Sequence, residues 1–153
     1  MPLLPRPISR PLPLAATAAS LVLTACGHAP APAPAPVPQL TVRTEWRIVQ
    51  ARTEPMLDTR RARLDFRVDG RLVGHTSCNS LTASYTLDGD RLKVGPVVTT
   101  RMACARLQME QEDRVLTALE LAVTARVRPD GLLELRDADG RGVLRAVRAD
   151  LPE

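Results

Sequence analysis

Aromatic side chains are nearly missing, with one Trp, one Tyr and one Phe among 153 residues. Any core must therefore be aliphatic. Histidine is scarce as well: His28 and His75 are the two in the chain. His75 and Cys78 are close, and Cys104 would be a third ligand. On a strand, however, a spacing of three turns side chains to opposite faces, and no second His or Cys-x-x-Cys pair completes a structural zinc site. Nucleophilic hydrolysis fares no better. Ser77 would share a strand face with His75, and Ser80 and Ser84 are near, but no Gly-x-Ser-x-Gly elbow and no Gly-rich phosphate loop exist. Such chemistry needs a base held by a third group, and His75 is the only His after the Ala-Pro tract. No catalytic residue, metal or cofactor is expected. Blocks of like charge are absent too, so nucleic-acid binding, which needs a concentrated basic stripe, has no support. Of the 21 basic residues only Lys93 is a lysine.

Long apolar runs are also missing. Leu12 to Leu23 is about a dozen residues, too short to span a bilayer. Arg6 and Arg10 precede it, and small residues then lead into Leu23-Thr24-Ala25-Cys26. That order is the anatomy of a secretory signal, and its ending resembles the lipobox of bacterial lipoproteins. The resemblance implies that residues 1-25 are removed and that Cys26 carries acyl chains that hold the protein on a membrane. Gly27 after that Cys, rather than Asp, resembles a signal for outer-membrane delivery. Removal takes away two basic residues and no acidic one, leaving 19 minus 17, about +2. Residues 26-39 form the next unit, in which Gly27 to Gln39 reads GHAPAPAPAPVPQ. Alternating Ala-Pro favours extended polyproline II, about 30 Å for ten residues. The tract reads as a semi-rigid tether; a docking role would lack any Arg or Lys within it.

Residues 40-153 remain, enough for one domain with a real core. Apolar and polar residues alternate in Arg63 to Asp69, which puts Leu64, Phe66 and Val68 on one face. Leu81, Ala83, Tyr85 and Leu87 alternate in the same way, as do Leu92 with Val94, Val123 with Ala125 and Val127, and Leu133 with Leu135 around Glu134. A two-residue period means half-buried strands with one wet face. Asp-Gly falls between such runs at Asp69-Gly70, Asp88-Gly89, Asp130-Gly131 and Asp139-Gly140, and predicts four hairpin-like reversals. Trp46 to Ile48, Leu72 to Cys78, Val97 to Met102 and Val143 to Val147 add strands. Gln108 to Leu121 breaks the period: Val115, Leu116 and Leu119 have helical spacing, and Glu110, Glu112 and Asp113 crowd the first turn. The expected class is mainly β with one helix. The architecture is a curled antiparallel meander or small β-barrel of about eight strands, with the helix packed on it or plugging it.

Three segments together resemble the HslJ-like META domain family: Ser77-Cys-Asn-Ser-Leu-Thr-Ala-Ser-Tyr85, then Thr100-Arg-Met-Ala-Cys104, then Met109-Glu-Gln-Glu112. The order of elements matches from Trp46 to the closing hairpin. Two positions depart from the family pattern: Ser77 and Ala83 stand where Gly is usual, so a positive φ at either would be strained. The resemblance implies a small barrel-like fold in cell-envelope proteins linked to stress tolerance, without an established enzymatic reaction.

Once Cys26 is acylated, Cys78 and Cys104 are the cysteines left. In an oxidising envelope one disulfide is the simplest arrangement; two free thiols, or redox or metal chemistry, are the alternatives. Asn79 would hold a turn through its amide, and Arg101 lies on a segment that the bridge would pin near it. With the motif residue Tyr85, they form either a structural polar knot or a binding patch. Two functions compete for a monomeric, lipid-anchored, periplasm-facing protein. One is an interaction or structural module for an envelope protein or the cell wall. The other is a small apolar-ligand carrier with a lipocalin-like pocket lined by Leu64, Phe66 and Tyr85.

Overall fold

The punctuating Asp-Gly pairs set the topology. Gly70, Gly89, Gly131 and Gly140 all adopt positive φ, between 62° and 83°, where a side chain would be strained and glycine is not. The structure, a computed structural model, describes Leu40 and residues 43–150. The signal, Cys26 and the tether lie outside the described residues. Ten strands and one helix follow in chain order. They are β1 (Glu45–Ala51), β2 (Glu54–Pro55), β3 (Arg63–Phe66), β4 (Arg71–His75), β5 (Ser80–Asp88), β6 (Arg91–Val94), β7 (Val98–Thr99), α1 (Arg106–Leu121), β8 (Thr124–Val127), β9 (Leu133–Arg136) and β10 (Gly142–Arg148).

Eight of these strands close an antiparallel barrel in the order β10-β9-β8-β6-β5-β4-β3-β1, with β1 pairing back onto β10. The two-residue strands β2 and β7 are additions, on β1 and β5. Closure removes the free edges that an open sheet would expose. The joint between β6 and β8 is the shortest, one register pair, Arg91 with Thr124. It is reinforced by bonds from Leu92 N to Val123 O and from Ala125 N to Asp90 O.

Inward-facing residues make one aliphatic core, as the scarcity of aromatics demands. Ile48, Leu64, Leu72, Leu133, Leu135 and Leu144 are at most 1% exposed, and Trp46 and Phe66 are buried among them. Each such side chain contributes about 1.5–3 kcal/mol by leaving water. Helix α1 packs on β1, β9 and β10, and its Val115, Ala118 and Leu119 join the core.

The alternation overreaches at three places. Val68 was expected beside Leu64 and Phe66 but is 61% exposed, because β3 stops at Phe66 and Arg67 O accepts from Gly70 N to form a turn. Val123 is likewise exposed, since β8 begins one residue later. Glu134, expected on a wet face, is 3% exposed because Arg136 and Arg145 fold over it. The helix starts at Arg106, two residues earlier than its acidic residues suggested, so its first turn carries no carboxylate. Ala105 is its N-cap, and Gln108 Oε1 accepts from Ala105 N at 3.2 Å.

Candidate functional site

After β4 the chain does not continue as a strand. Residues Thr76 to Asn79 form a tight turn in which Thr76 N donates to Asn79 O at 2.9 Å. Thr76 Oγ1 accepts from Asn79 N at 3.0 Å and from Cys78 N at 3.3 Å. A hydroxyl that takes its neighbours' amides in this way is a local substitute for a sheet ladder. The turn needs a left-handed residue, and Ser77 supplies it with φ of 88°. This is one of the two positions where the family pattern has Gly. The other, Ala83, sits in regular strand opposite Leu72.

Serine at 77 has its own compensation. Its Oγ donates to Asp58 O at 2.8 Å and accepts from Gln111 Nε2 at 2.7 Å. Its N–H donates to His75 Nδ1 at 3.0 Å, which leaves the His75 proton on Nε2. Burial, then the charges of Arg61 and Arg63, hold His75 below its ordinary value of 6.5. The imidazole therefore meets the backbone of Ser77 and not its hydroxyl, which is engaged elsewhere. Ser80 stands opposite His75 in the register.

Asn79 is 4% exposed and central. Its Oδ1 accepts from Met102 N at 2.8 Å and from Thr100 Oγ1 at 2.7 Å. Its Nδ2 lies 3.1 and 3.2 Å from the two Glu112 oxygens and 3.4 Å from Met102 O. Thr76 Oγ1 donates to the same Glu112 carboxylate at 2.5 Å. A disulfide joins Cys78 to Cys104, 26 residues apart, and fixes the far end of the same strap. One amide and one covalent bond thus tie residues 100–104 to the turn, where a side-chain network is worth more than its separate pairs.

Gln111, on the face of α1 that also carries Val115, is fully buried. Its Oε1 accepts from Leu57 N at 2.6 Å and from Asp58 N at 3.3 Å. It therefore locks the loop after β2 to the turn and to the helix. The sequence places Glu112 at the helix start and Gln111 within the family motif, but assigns neither of them, nor Thr76, to this site. A signal for Gln111 was present: it precedes Val115, Ala118 and Leu119 by four, seven and eight, the spacing of one buried helix face.

The remaining motif residues are not assembled with these. Arg101 is exposed and makes no hydrogen bond or ion pair among the described residues; its neighbours Thr100 and Met102 make the contacts to Asn79. Tyr85 serves another turn. Its OH donates to Arg67 O at 2.7 Å, and its ring meets Phe66 edge-on, centroids 5.2 Å apart. Burial raises its ionisation above the ordinary phenol value, with Asp65 and Asp69 adding to this. Leu64, Phe66 and Tyr85 belong to the core cluster, packed with Trp46 and the helix residues. No group of three or more His, Cys, Asp or Glu residues arranged to hold a metal occurs among the described residues.

Comparison with known proteins agrees with this geometry. The family model described as the META domain matches residues 38–150. An NMR structure of a protein from Burkholderia xenovorans is 26% identical, with a TM-score of 0.58, and the match covers 82% of this chain and 97% of that one. A second NMR structure, 20% identical with a TM-score of 0.54, covers 72% of this chain and 92% of its own and shares the fold. No curated protein matches the chain.

Proposed function

The chain belongs to the META domain family, and on that premise we propose that it is a lipid-anchored envelope protein that acts by binding or structural support, without catalysis. The observation that carries this reading is what the motif residues do. Thr76, Ser77, Asn79, Gln111 and Glu112 bond to one another and to backbone. A polar set closed on itself has no donor or acceptor poised for a substrate, and it serves to hold the strap and helix in one place. The N-terminal sequence supports the location: a basic flank, a short apolar run and Leu-Thr-Ala-Cys26 precede the domain.

The reading is tested by expressing the full chain in a bacterial envelope with labelled palmitate. Wild type should carry label and fractionate with membranes, and Cys26→Ala should lose both. Label retained on the Cys26→Ala variant, or an unprocessed wild-type N-terminus, would remove the anchored reading.

A further inference from the structure

The two sulfurs of the Cys78–Cys104 bridge stand in unlike surroundings. Cys78 is 3% exposed, within the turn after β4. Cys104 is partly exposed between Ala103 and Ala105, both open to solvent and neither carrying more than a methyl group. The Cys78 side is also closed by polar contacts. Asn79 Nδ2 lies 3.3 Å from its Sγ, and the same Nδ2 lies 3.1 Å from Glu112 Oε2. Met102 O is 3.5 Å from the Cys78 sulfur. A thiol set free there finds an acceptor in Met102 O and a donor in Asn79 without movement of the turn. Its thiolate is disfavoured, being out of water and close to the Glu112 carboxylate.

Cys104 is placed for the opposite. It immediately precedes Ala105, the N-cap of α1, a helix of 16 residues with no acidic residue in its first turn. Gln108 Oε1 takes the Ala105 N–H, while the amides of Arg106 and Leu107 have no partner among the described residues. A long helix with open first-turn amides and no carboxylate beside them favours a thiolate at its start. Cys104 is thus the sulfur that is easier to reach and the one that carries negative charge at less cost. The strap is not lost when the bridge opens, because Asn79 holds Thr100 and Met102 through bonds of its own.

We propose that the Cys78–Cys104 bridge is an exchangeable redox site for a small thiol, which attacks at Cys104 and is carried there as a mixed disulfide. In the first step the incoming thiolate sulfur bonds to Cys104 Sγ and the Cys78–Cys104 bond breaks. The electron pair leaves on Cys78 Sγ, which takes a proton from water. The thiol sulfur is oxidised and the Cys78 sulfur is reduced, so no other oxidant enters. The adduct then has two fates. Cys78 loses its proton, attacks Cys104 again and expels the thiol, which restores the bridge. Alternatively a second thiolate removes the first as a symmetric disulfide, and Cys104 leaves as the thiolate that its helix start favours. Opening frees residues 103–105 and the first turn of α1 while the barrel keeps its strand pairs. Cys26 takes no part, so this inference does not rest on the anchored reading.

The test uses the full chain with Cys26→Ala, which leaves these two cysteines alone, incubated with reduced glutathione and no denaturant. After an acid quench, free thiols are trapped with N-ethylmaleimide and tryptic peptides are mapped by mass spectrometry; cleavage at Arg101 and Arg106 puts Cys104 in a peptide of its own. Glutathione is expected on Cys104 and the trap on Cys78, in excess over the reverse pattern by about tenfold or more. Amide exchange at Leu135 should match that of the untreated protein, since the adduct forms on a folded barrel. Single variants isolate the charge argument. Near neutral pH, iodoacetamide should alkylate Cys104 in Cys78→Ser at least about fivefold faster than Cys78 in Cys104→Ser. Adding Leu107→Glu, at an exposed position of the first turn, should slow Cys104 by about threefold. Glutathione shared evenly between the two sulfurs, or an adduct that forms only once urea is added, would overturn the proposal. So would a Cys104 thiol no faster than that of Cys78; where a single variant does not fold, the peptide map of the bridged protein decides alone.

Discussion

Residues Thr124 to Arg148 and the knot around Asn79 hold the same barrel together by opposite means. In the first region β8, β9 and β10 follow one another through Asp-Gly turns, and each strand pairs with its neighbour in sequence. In the second, Asn79 reaches Met102 and Glu112, 23 and 33 residues away, and Gln111 reaches Leu57 across 54. Local pairing closes short loops at small entropic cost, whereas the knot must close long ones. The hairpins need only the right residue type at each turn. The knot needs particular atoms, and the covalent bridge that shortens its longest excursion belongs to it alone.

Removing that bridge is the harshest way to break the comparison. Cys78→Ser with Cys104→Ser reopens a loop of 26 residues, which costs about 3.5 kcal/mol in the chain-entropy view. Urea unfolding of the double variant, beside wild type treated with reductant, gives the figure. Amide exchange at Met102 should quicken far more than at Leu135, because the strap loosens while the hairpins keep their ladder. A loss below about 1 kcal/mol would mean that Asn79 holds the strap unaided.

The same contrast explains what could be read in advance. Alternation and Asp-Gly turns are local signals, so the strands, the reversals and the barrel were legible from Arg63 to Val147. Val68 failed because alternation does not reveal where a strand stops. Glu134 failed because its burial comes from Arg145 on another strand, which no window around residue 134 contains. In the knot, Asn79 and the two cysteines were legible as a polar centre beside a bridge. Gln111 and Glu112 were not, since their partners lie on loops whose approach depends on the finished barrel.

Glu134→Gln probes the hairpin region at a buried charge held between two of its strands. Burial favours the neutral acid, but hydrogen bonds and charge from Arg136 and Arg145 outweigh it and hold the carboxyl below its ordinary value of 4.5. The stabilisation is therefore complete above about pH 4.5 and is lost as pH falls through the lower folded value. The substitution should cost about 2 kcal/mol near neutrality, less than a fully buried pair because the arginines stay partly in water. Wild type and variant should converge in stability as the solution is acidified through that window. A difference that is independent of pH from neutrality to pH 2 would show that shape, and not charge, sets the role of Glu134.

Ser77 gives the smallest effect and the sharpest division between backbone and side chain within the knot. Its φ of 88° is a conformation that costs a side-chain-bearing residue roughly 1–2 kcal/mol and glycine almost nothing. Its hydroxyl offsets this by bonding Asp58 O and Gln111 Nε2 in a buried site. Ser77→Ala discards the hydroxyl and keeps the strain; Ser77→Gly discards both. Alanine should thus destabilise by about 2 kcal/mol and glycine by about 1, with the 1 kcal/mol between them measuring the backbone alone. Thermal unfolding of the three proteins at one pH resolves that order. Alanine as stable as glycine would mean that the turn relaxes out of the left-handed region when Gln111 no longer holds it, and the knot would then be a consequence of its side chains and not of its backbone.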